Sequence, residues 1–296
     1  MHDHRHDHMN SSSDRIGRVF FLNVAFTVIE FVGGWLTNST AIMADAVHDL
    51  GDSLSIGLAW LLSKLSGKRA DSMFSYGYHR FSLLGALING FVLIAGSLWV
   101  LSEAVPRLSD PQSPNALGML GLAILGVGVN GYAAYKLSRG KTLNERVLNW
   151  HLLEDVLGWL AVLVVSVTLL FVDWPILDPL LSIVFTLFIL VNVIRVIVTT
   201  GSLLMQATPD KALYADVIGV FLETEHVAQA HHVHLWSLDG ERHVMTAHLQ
   251  LDECIGYVEQ RSIKADLNNR LSKFNFIHTT IELEFPDEEC RDESQD

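Results

Sequence analysis

Six long apolar segments dominate the first two hundred residues and set what the chain can fold into. Each is long enough to cross about 30 Å of hydrocarbon as an α-helix that rises about 1.5 Å per residue. Helices are the natural spanning elements because they satisfy their own backbone hydrogen bonds where no water is present. We therefore predict a membrane all-α six-helix bundle in the lipid bilayer, with spans near 16–37, 40–63, 80–104, 115–137, 147–172 and 176–200.

The last third of the chain is more polar and predicts a separate domain. Thr208-Pro209-Asp210 is typical of a helix start, and Asp239-Gly240 is typical of a tight hairpin. Alternating apolar residues indicate strands, whereas a spacing of three to four indicates helices. We predict a small ferredoxin-like α+β domain of order αββαβ, with helix 210–225, strands 230–238 and 243–251, helix 257–274 and strand 277–285.

This interpretation divides the chain into four parts. His2, His4, His6 and His8 form an alternating run that suits metal capture, because a short polar segment cannot form a core. A cloning tag is the competing explanation for this run. The predicted parts are a flexible His-rich N-terminus (1–15), the six-span domain (16–204), the α+β domain (208–286) and an acidic disordered tail (287–296).

Lysine and arginine are concentrated in alternate connections between the apolar segments. Such an excess marks the cytoplasmic side, so both termini and the α+β domain are predicted to be cytoplasmic. The other three connections hold only Arg107. The basic residues on the predicted cytoplasmic side are Arg15, Arg18, Lys64, Lys68, Arg69, Arg80, Lys136, Arg139, Lys141 and Arg146.

Charge and cysteine content argue against two further classes of protein. The net charge of −13 comes from acidic residues that crowd the C-terminal part of the chain. No basic face interleaved with aromatic residues occurs, so nucleic acid is not an expected partner. Cys254 and Cys290 are the only cysteines and lack the spacing of a disulfide framework, which predicts a reducing compartment around them.

Ionisable residues inside two apolar segments carry the functional prediction. A charged side chain at the bilayer centre costs about 2.5–3.5 kcal/mol on insertion scales, so it is kept where it lines a pathway or binds a partner. His48 and Asp52 share one helix face at a spacing of four, and His151 and Asp155 repeat that spacing. One such pair could be a packing group satisfied by a neighbouring helix, but the repetition favours a metal site.

Two imidazoles and two carboxylates suit zinc in tetrahedral geometry, with Cd²⁺ and Co²⁺ as further candidates. Two ionised aspartates and a divalent ion sum to zero charge, so the loaded site tolerates a low dielectric. The emptied site needs protons in place of the metal. Because metal ligands must be deprotonated, protons and metal compete directly, which predicts exchange of metal for H⁺.

Other ionisable residues accompany this predicted transport site. Asp45 lies one turn before His48 on nearly the same face and is a candidate for the ion access pathway. Asp49 is expected to face another helix or water, and Glu154 is an alternative carboxylate beside Asp155. Glu30 in the first segment is expected to face the bundle interior, without an assigned role.

These features resemble the cation diffusion facilitator family, and within it the zinc-transporter branch. The resemblance covers roughly residues 16–285. It implies a homodimer, a metallochaperone-like cytoplasmic domain, and proton-coupled efflux of Zn²⁺ by alternating access, and so a transporter and not an enzyme. The motifs that carry it are Ala44-Asp45-Ala-Val-His48-x-x-x-Asp52, His151-x-x-x-Asp155, Phe74-Ser-Tyr-Gly-Tyr-His79-Arg80 and His231-His232-Val-His234-Leu-Trp236.

Two departures from the family pattern concern the loops. Some bacterial relatives bind metal between spans 2 and 3 through an Asp and two His, whereas this chain has Asp71, Phe74 and Tyr78. His79 resembles the single loop histidine of the animal-type branch and is either a ligand on the access pathway or a surface residue. The short connection between spans 4 and 5 lacks a His-rich insert, which resembles bacterial members and implies the cell (inner) membrane.

The polar faces of two predicted strands supply a second candidate metal site. Alternation places His248 opposite the apolar residues of its strand. From the residues alone, the better interpretation of any one polar residue is the solvated face of a half-buried sheet. The family resemblance implies regulatory metal ligands here. The candidate ligands are His231, His248, His278, Glu282 and Glu284, with Cys290 as a further thiolate.

Three other functions stay open. Efflux of a different divalent ion, such as Mn²⁺ or Fe²⁺, would use the same architecture. An intramembrane metalloenzyme would need an open coordination position and a general base, typically H-E-x-x-H, which the sequence lacks. A membrane-anchored zinc sensor would use the cytoplasmic domain, but an anchor has no reason to bury four ionisable groups.

Overall fold

A computed structural model describes residue 21 and residues 23–66, 68, 70–137, 143–290 and 292. The side chains of residues 59–60, 63–66, 133, 136–137 and 143–151 lie outside this description. The predicted His-rich collector at 1–15 also lies outside the described residues. The chain divides into two compact units, one containing the chain up to Leu62 and Gly85–Ile197, and the other containing Ser63–Leu84 and the chain from Val198 onward.

The first unit is helical and agrees with the six predicted segments. Three of its helices, α3, α5 and α6, are long and apolar enough to span a membrane, and α1 and α4 hold shorter apolar stretches. The carboxylates and the histidine of α2 lower its hydropathy. The helices are α1 (Asn23–Thr37), α2 (Thr40–Ser66), α3 (Phe81–Ala104), α4 (Ala116–Leu137), α5 (Leu143–Phe171) and α6 (Leu177–Leu204).

Helix α2 lies at the centre of this unit because apolar residues on two of its sides are buried against different partners. Ala41 and Ile42 pack with Trp159 of α5 and with residues of α4. Ala44 and Val47 pack with residues of α3 and α6. The polar residues between these two apolar sides are thereby held inside the bundle.

The second unit contains the predicted α+β domain. Side chains of α7 and α8 pack on alternate residues of β2 to form one apolar core. Strand β1 runs antiparallel to β2, and β2 runs parallel to β3, in the order β1-β2-β3. Its elements are α7 (Lys211–Leu222), β1 (Val227–Ser237), β2 (His243–Leu251), α8 (Tyr257–Leu271) and β3 (Phe276–Glu284). The predicted order αββαβ is confirmed.

Two local predictions in this domain have different outcomes. Asp210 caps α7, accepting a hydrogen bond from the Ala212 amide at 2.8 Å, as the start signal predicted. The connection between β1 and β2 is one residue longer than the four residues left between the predicted strands, because β1 ends at Ser237. Asp239 accepts hydrogen bonds from the amides of Glu241 and Arg242, and these stabilise a five-residue connection, 238–242, in which Gly240 has φ +98°.

Candidate metal sites

The first candidate site joins α2 to α5 inside the helical unit. The Nε2 atom of His48 lies 3.8 Å from Oδ2 of Asp52 and 3.6 Å from Oδ1 of Asp155. One ligand atom from each of the three residues falls within 4.8 Å of the others. This spread is suited to a single divalent ion, since ligand atoms about 2 Å from zinc are themselves about 3–4 Å apart.

Local helix geometry and tertiary packing each supply part of this site. His48 and Asp52 meet because residues four apart lie on one face of α2. Asp155 joins them because Trp159, one turn later in α5, is fully buried against α2 and α4. Gly158 leaves room for a close approach, since a Cβ there would lie 2.7 Å from the ring of Phe185 and 3.6 Å from Oδ1 of Asp45.

The fourth predicted ligand, His151, belongs to α5, but its side chain lies outside the described residues. The helix is continuous from His151 to Asp155, so the predicted spacing of four on one helix face applies. The ligand role of His151 stays a prediction.

A cavity of about 170 Å³ adjoins the three clustered residues. Asp45 and Glu154 line it beside the candidate ligands, together with apolar residues of α3 and α6. Asn192 of α6 also lines it and was missed at the level of sequence. Its signal is a polar amide within the apolar run of α6, a side chain of the kind that forms hydrogen bonds between membrane helices.

A buried carboxylate, Asp178 of α6, was also missed at the level of sequence. It is 1% exposed and accepts hydrogen bonds from Ser39 Oγ at 2.5 Å, Thr40 N at 2.7 Å, Thr40 Oγ1 at 2.9 Å and Ala41 N at 3.3 Å. These donors form the first turn of α2, so a residue at the start of α6 caps a helix far away in sequence. Asp178 thereby holds the end of α2 that precedes His48.

The polar face of the α+β sheet carries a further cluster. His248 Nδ1 lies 2.7 Å from Glu284 Oε1, and His231 Nε2 lies 2.9 Å from Glu284 Oε2. Cys290 Sγ lies 3.4 Å from His248 Nδ1. One ligand atom from each of these four residues falls within 4.8 Å of the others, so the cluster offers nitrogen, oxygen and sulfur ligands suited to zinc.

Strand register brings most of this cluster together. His231 pairs with His248 across β1 and β2, and His248 pairs with Glu282 across β2 and β3. The His248 ring also lies 3.7 Å from Glu282 and 3.7 Å from Asp292. A bulge in β1 gives His232 a φ of +47° and brings its ring to 5.4 Å from that of His248, a contact that regular alternation would not produce.

One member of the predicted set lies apart from the others in the structure. His278 does not join the cluster, because its ring contacts Tyr76 at a centroid distance of 5.9 Å and its Nε2 lies 3.3 Å from Thr280 Oγ1. It pairs with Val244 in the register of β2 and β3, four residues along the strand from the level of His248. Sharing a strand face with Glu282 was therefore not sufficient to bring His278 to the site.

Comparison with known protein families decides the class of this molecule. The model of the cation efflux transmembrane domain matches residues 18–205, and that of the cation efflux protein cytoplasmic domain matches residues 209–285. The chain belongs to the cation efflux family. Proteins of this family are transporters, so the chain is a multi-pass membrane transporter and not an enzyme. The resemblance inferred from the motifs is confirmed.

Several members of the cation efflux family align with nearly the whole chain. A "Cadmium, cobalt and zinc/H(+)-K(+) antiporter" of Bacillus velezensis is 31% identical over 95% of this chain and 91% of its own length. The "Zinc transporter ZitB" of Pectobacterium atrosepticum is 30% identical over 98% and 91%. The "Metal cation efflux system protein CzcD" of Cupriavidus metallidurans is 28% identical over 99% and 93%.

The carboxylate of the loop before α3 is hydrogen-bonded within the loop. Asp71 accepts hydrogen bonds from the Phe74 amide at 2.8 Å, the Tyr78 hydroxyl at 2.8 Å and the Met73 amide at 2.9 Å. These bonds lower the pKa of Asp71, the Phe74 amide most strongly. Asp71 therefore stabilises the loop conformation.

His79, the candidate access ligand, lines a cavity of about 210 Å³ with neighbouring loop residues and with Gln206 and Leu238. Its Nδ1 atom is buried and has no hydrogen-bond partner among the described residues. Partial desolvation and the Arg242 guanidinium lower the pKa of His79, so the neutral, metal-competent imidazole is favoured. Its role on the access pathway stays a prediction.

Proposed function

We propose that the protein exports Zn²⁺ from the cytosol in exchange for H⁺, with Cd²⁺ and Co²⁺ as further substrates. The observation that carries this proposal is the cluster of one imidazole and two carboxylates contributed by α2 and α5, His48, Asp52 and Asp155. His151 completes a four-ligand shell in this proposal. The names of the relatives, which include zinc transporters and a cadmium, cobalt and zinc antiporter, support the choice of ions.

Charge balance supports the coupling to protons. A divalent ion neutralises the two carboxylates, whereas an empty site with two ionised aspartates in a low dielectric would be strongly disfavoured. Protons therefore take the place of the departing ion, and the same ligands alternate between the metal-bound and protonated states. Alternating access delivers the metal to one side of the membrane and admits the protons there.

The same proposal includes assembly, orientation and regulation. We infer a homodimer in the cell (inner) membrane with both termini cytoplasmic, supported by the match to a cation efflux cytoplasmic domain and by the placement of lysine and arginine. The four-part division at 1–15, 16–204, 208–286 and 287–296 belongs to this proposal. A regulatory Zn²⁺ binds at His231, His248, Glu284 and Cys290, with Glu282 beside them.

Uptake of metal ions into proteoliposomes tests this function. Full-length protein is reconstituted, a pH gradient is imposed, and uptake of Zn²⁺, Cd²⁺, Co²⁺, Mn²⁺ and Fe²⁺ is compared. We expect zinc flux that follows the gradient and is lost in Asp52→Ala, while Asp173→Asn, a change at an exposed carboxylate between α5 and α6, stays active. Normal zinc flux in Asp52→Ala would overturn the assignment, and preference for Mn²⁺ or Fe²⁺ would favour the alternative ions. Zinc binding without flux would favour a sensor.

A further inference from the structure

Glu30 of α1 is a buried carboxylate that the metal cluster does not use. It is 1% exposed, and neither of its carboxylate oxygens has a hydrogen-bond donor among the described residues. Asp45 and Asp49 of α2 are also buried, at 4% and 8% exposed, and Oδ2 of Asp45 likewise has no donor within that part of the chain. Three carboxylates thus lie in the bundle interior, and the basic group that acts on Asp45 and Asp49 is the His48 imidazole of α2.

The neighbours of Glu30 make this arrangement untenable for three ionised groups. The Asp49 and Asp45 carboxylates of α2 and the Asp155 carboxylate of α5 all place negative charge near Glu30. His48 and Asp52 act on Asp45 and Asp49 from the metal side. Like charges that face each other in a low dielectric cannot all ionise.

The other helices packed near Glu30 offer apolar side chains. Trp99 of α3 contacts Phe31, and Leu122 of α4 covers Gly33. No lysine or arginine is therefore supplied at these contacts. A protonated, neutral Glu30 carboxyl is the simplest state for a buried carboxylate whose two oxygens have no donor among the described residues.

We propose that Glu30 is a proton-binding site, separate from the metal ligands, that loses its proton when the ion binds at His48, Asp52 and Asp155. This inference rests on the proposed exchange of Zn²⁺ for H⁺. A divalent charge in the same low-dielectric interior favours the ionised carboxylate, and linkage requires that the proton on Glu30 weaken ion binding by the same factor. Proton binding at Glu30 and ion binding at the metal ligands thus oppose each other through electrostatic repulsion, although no atom of Glu30 contacts the ion.

Asp45 provides a route for the released proton. It acts electrostatically on Glu30 and also lines the cavity beside the metal cluster. The O–H bond of the Glu30 carboxyl breaks, its electron pair stays on the carboxylate, and the proton passes by way of the Asp45 carboxylate to water. No other reactant is needed.

Calorimetric titration of the full-length protein in detergent tests this site. Zinc is added in two buffers that differ in ionisation enthalpy, and the difference gives the number of protons released per zinc bound. We expect Glu30→Gln to release about one proton fewer than the wild type while binding the same number of zinc ions. Glu30→Asp, which keeps an ionisable group, should restore the proton count. Glu103→Gln, a change at an exposed glutamate of α3, is the matched control and should leave the count unchanged.

Three results would overturn the inference. The first is a proton count in Glu30→Gln equal to that of the wild type. The second is loss of one bound zinc per chain in Glu30→Gln, which would make Glu30 a metal ligand. The third needs no variant: infrared difference spectra of the wild-type protein that show no loss of protonated-carboxyl absorption on zinc binding. Wild-type zinc flux that ignores a pH gradient would instead defeat the proposed function, so the two failures are distinguishable.

Discussion

The Nε2 atom of His48 lies 3.6 Å from Oδ1 of Asp155, although the two residues belong to different helices. Helices α3 and α4 separate them in sequence, so this distance depends on how α2 and α5 pack. Within α2 the same imidazole lies 3.8 Å from Asp52. His48 is therefore the centre of the candidate transport site.

Replacing Asp155 by asparagine should abolish zinc binding at this site. The change keeps the side-chain shape but removes one of the two charges that neutralise the ion. We expect the affinity to fall by more than the roughly 10–100-fold that is typical of losing a residue that only supports a ligand. Equilibrium binding to the full-length protein measures this, with Asp173→Asn as the control. Unchanged affinity in Asp155→Asn would remove Asp155 from the ligand set.

Replacing His48 by aspartate should change the selectivity of transport. The substitution exchanges a nitrogen ligand for oxygen, and carboxylate-rich sites favour Mn²⁺ over the ions that prefer imidazole. We expect the ratio of Mn²⁺ to Zn²⁺ flux in proteoliposomes to increase by at least about tenfold, which corresponds to about 1.4 kcal/mol. A ratio equal to that of the wild type would show that His48 does not contact the ion.

Opposite results are expected for two histidines of the α+β sheet. His248 lies between Glu284 and Cys290, whereas His278 lies beside Tyr76. In an Asp155→Asn background, which removes the transport site, we expect His248→Ala to lower the number of zinc ions bound per chain by one and His278→Ala to leave it unchanged. Calorimetry on the full chain checks both. Loss of binding in His278→Ala alone would contradict this assignment.

The pH dependence of binding at this cluster should depend on Cys290. Partial desolvation and the Glu284 carboxylate raise the pKa of the Cys290 thiol, so zinc must displace a proton from it near neutral pH. In the same background, zinc affinity should still rise between about pH 7 and pH 9, above the range in which histidine titrates. Chelator competition in Cys290→Ser should give a flat profile there, and a profile that rises equally would exclude thiolate ligation.

Removal of Asp178 should destabilise the helical unit. Asp178→Ala leaves the first-turn donors of α2 buried without an acceptor, at a cost of about 2 kcal/mol or roughly 4–8 °C in Tm. Asp178→Asn keeps one acceptor oxygen and should cost less. Thermal unfolding in detergent compares them with Asp173→Asn. A loss of 1 kcal/mol of stability lowers Tm by about 2–4 °C in a protein of this size. A Tm of Asp178→Ala that stays within about 1 °C of the control would therefore contradict the capping role.

Local sequence was sufficient for those features that depend on residues close along the chain. Apolar length predicted the helices of the first unit, and alternation predicted the strands of the second. The spacing of His48 and Asp52 placed both on one face, and Asp210 marked the start of α7. The family resemblance was also accessible, because its motifs are short and contiguous.

Contacts between distant residues were decided only by the tertiary structure. A local spacing cannot show that Asp178 caps α2, that the bulge at His232 brings its ring towards His248, or that His278 lies beside Tyr76. The Asp-Gly dipeptide did not show that the connection after Ser237 has five residues, which Asp239 holds by bonding to the amides of Glu241 and Arg242. By itself the sequence determined which residues are ionisable within apolar helices. The packing of those helices decided that Glu30 lies near Asp49 and that Asp155 lies near His48. Because charges buried close together are stable only with a proton or a metal ion between them, this packing decides which residues act together.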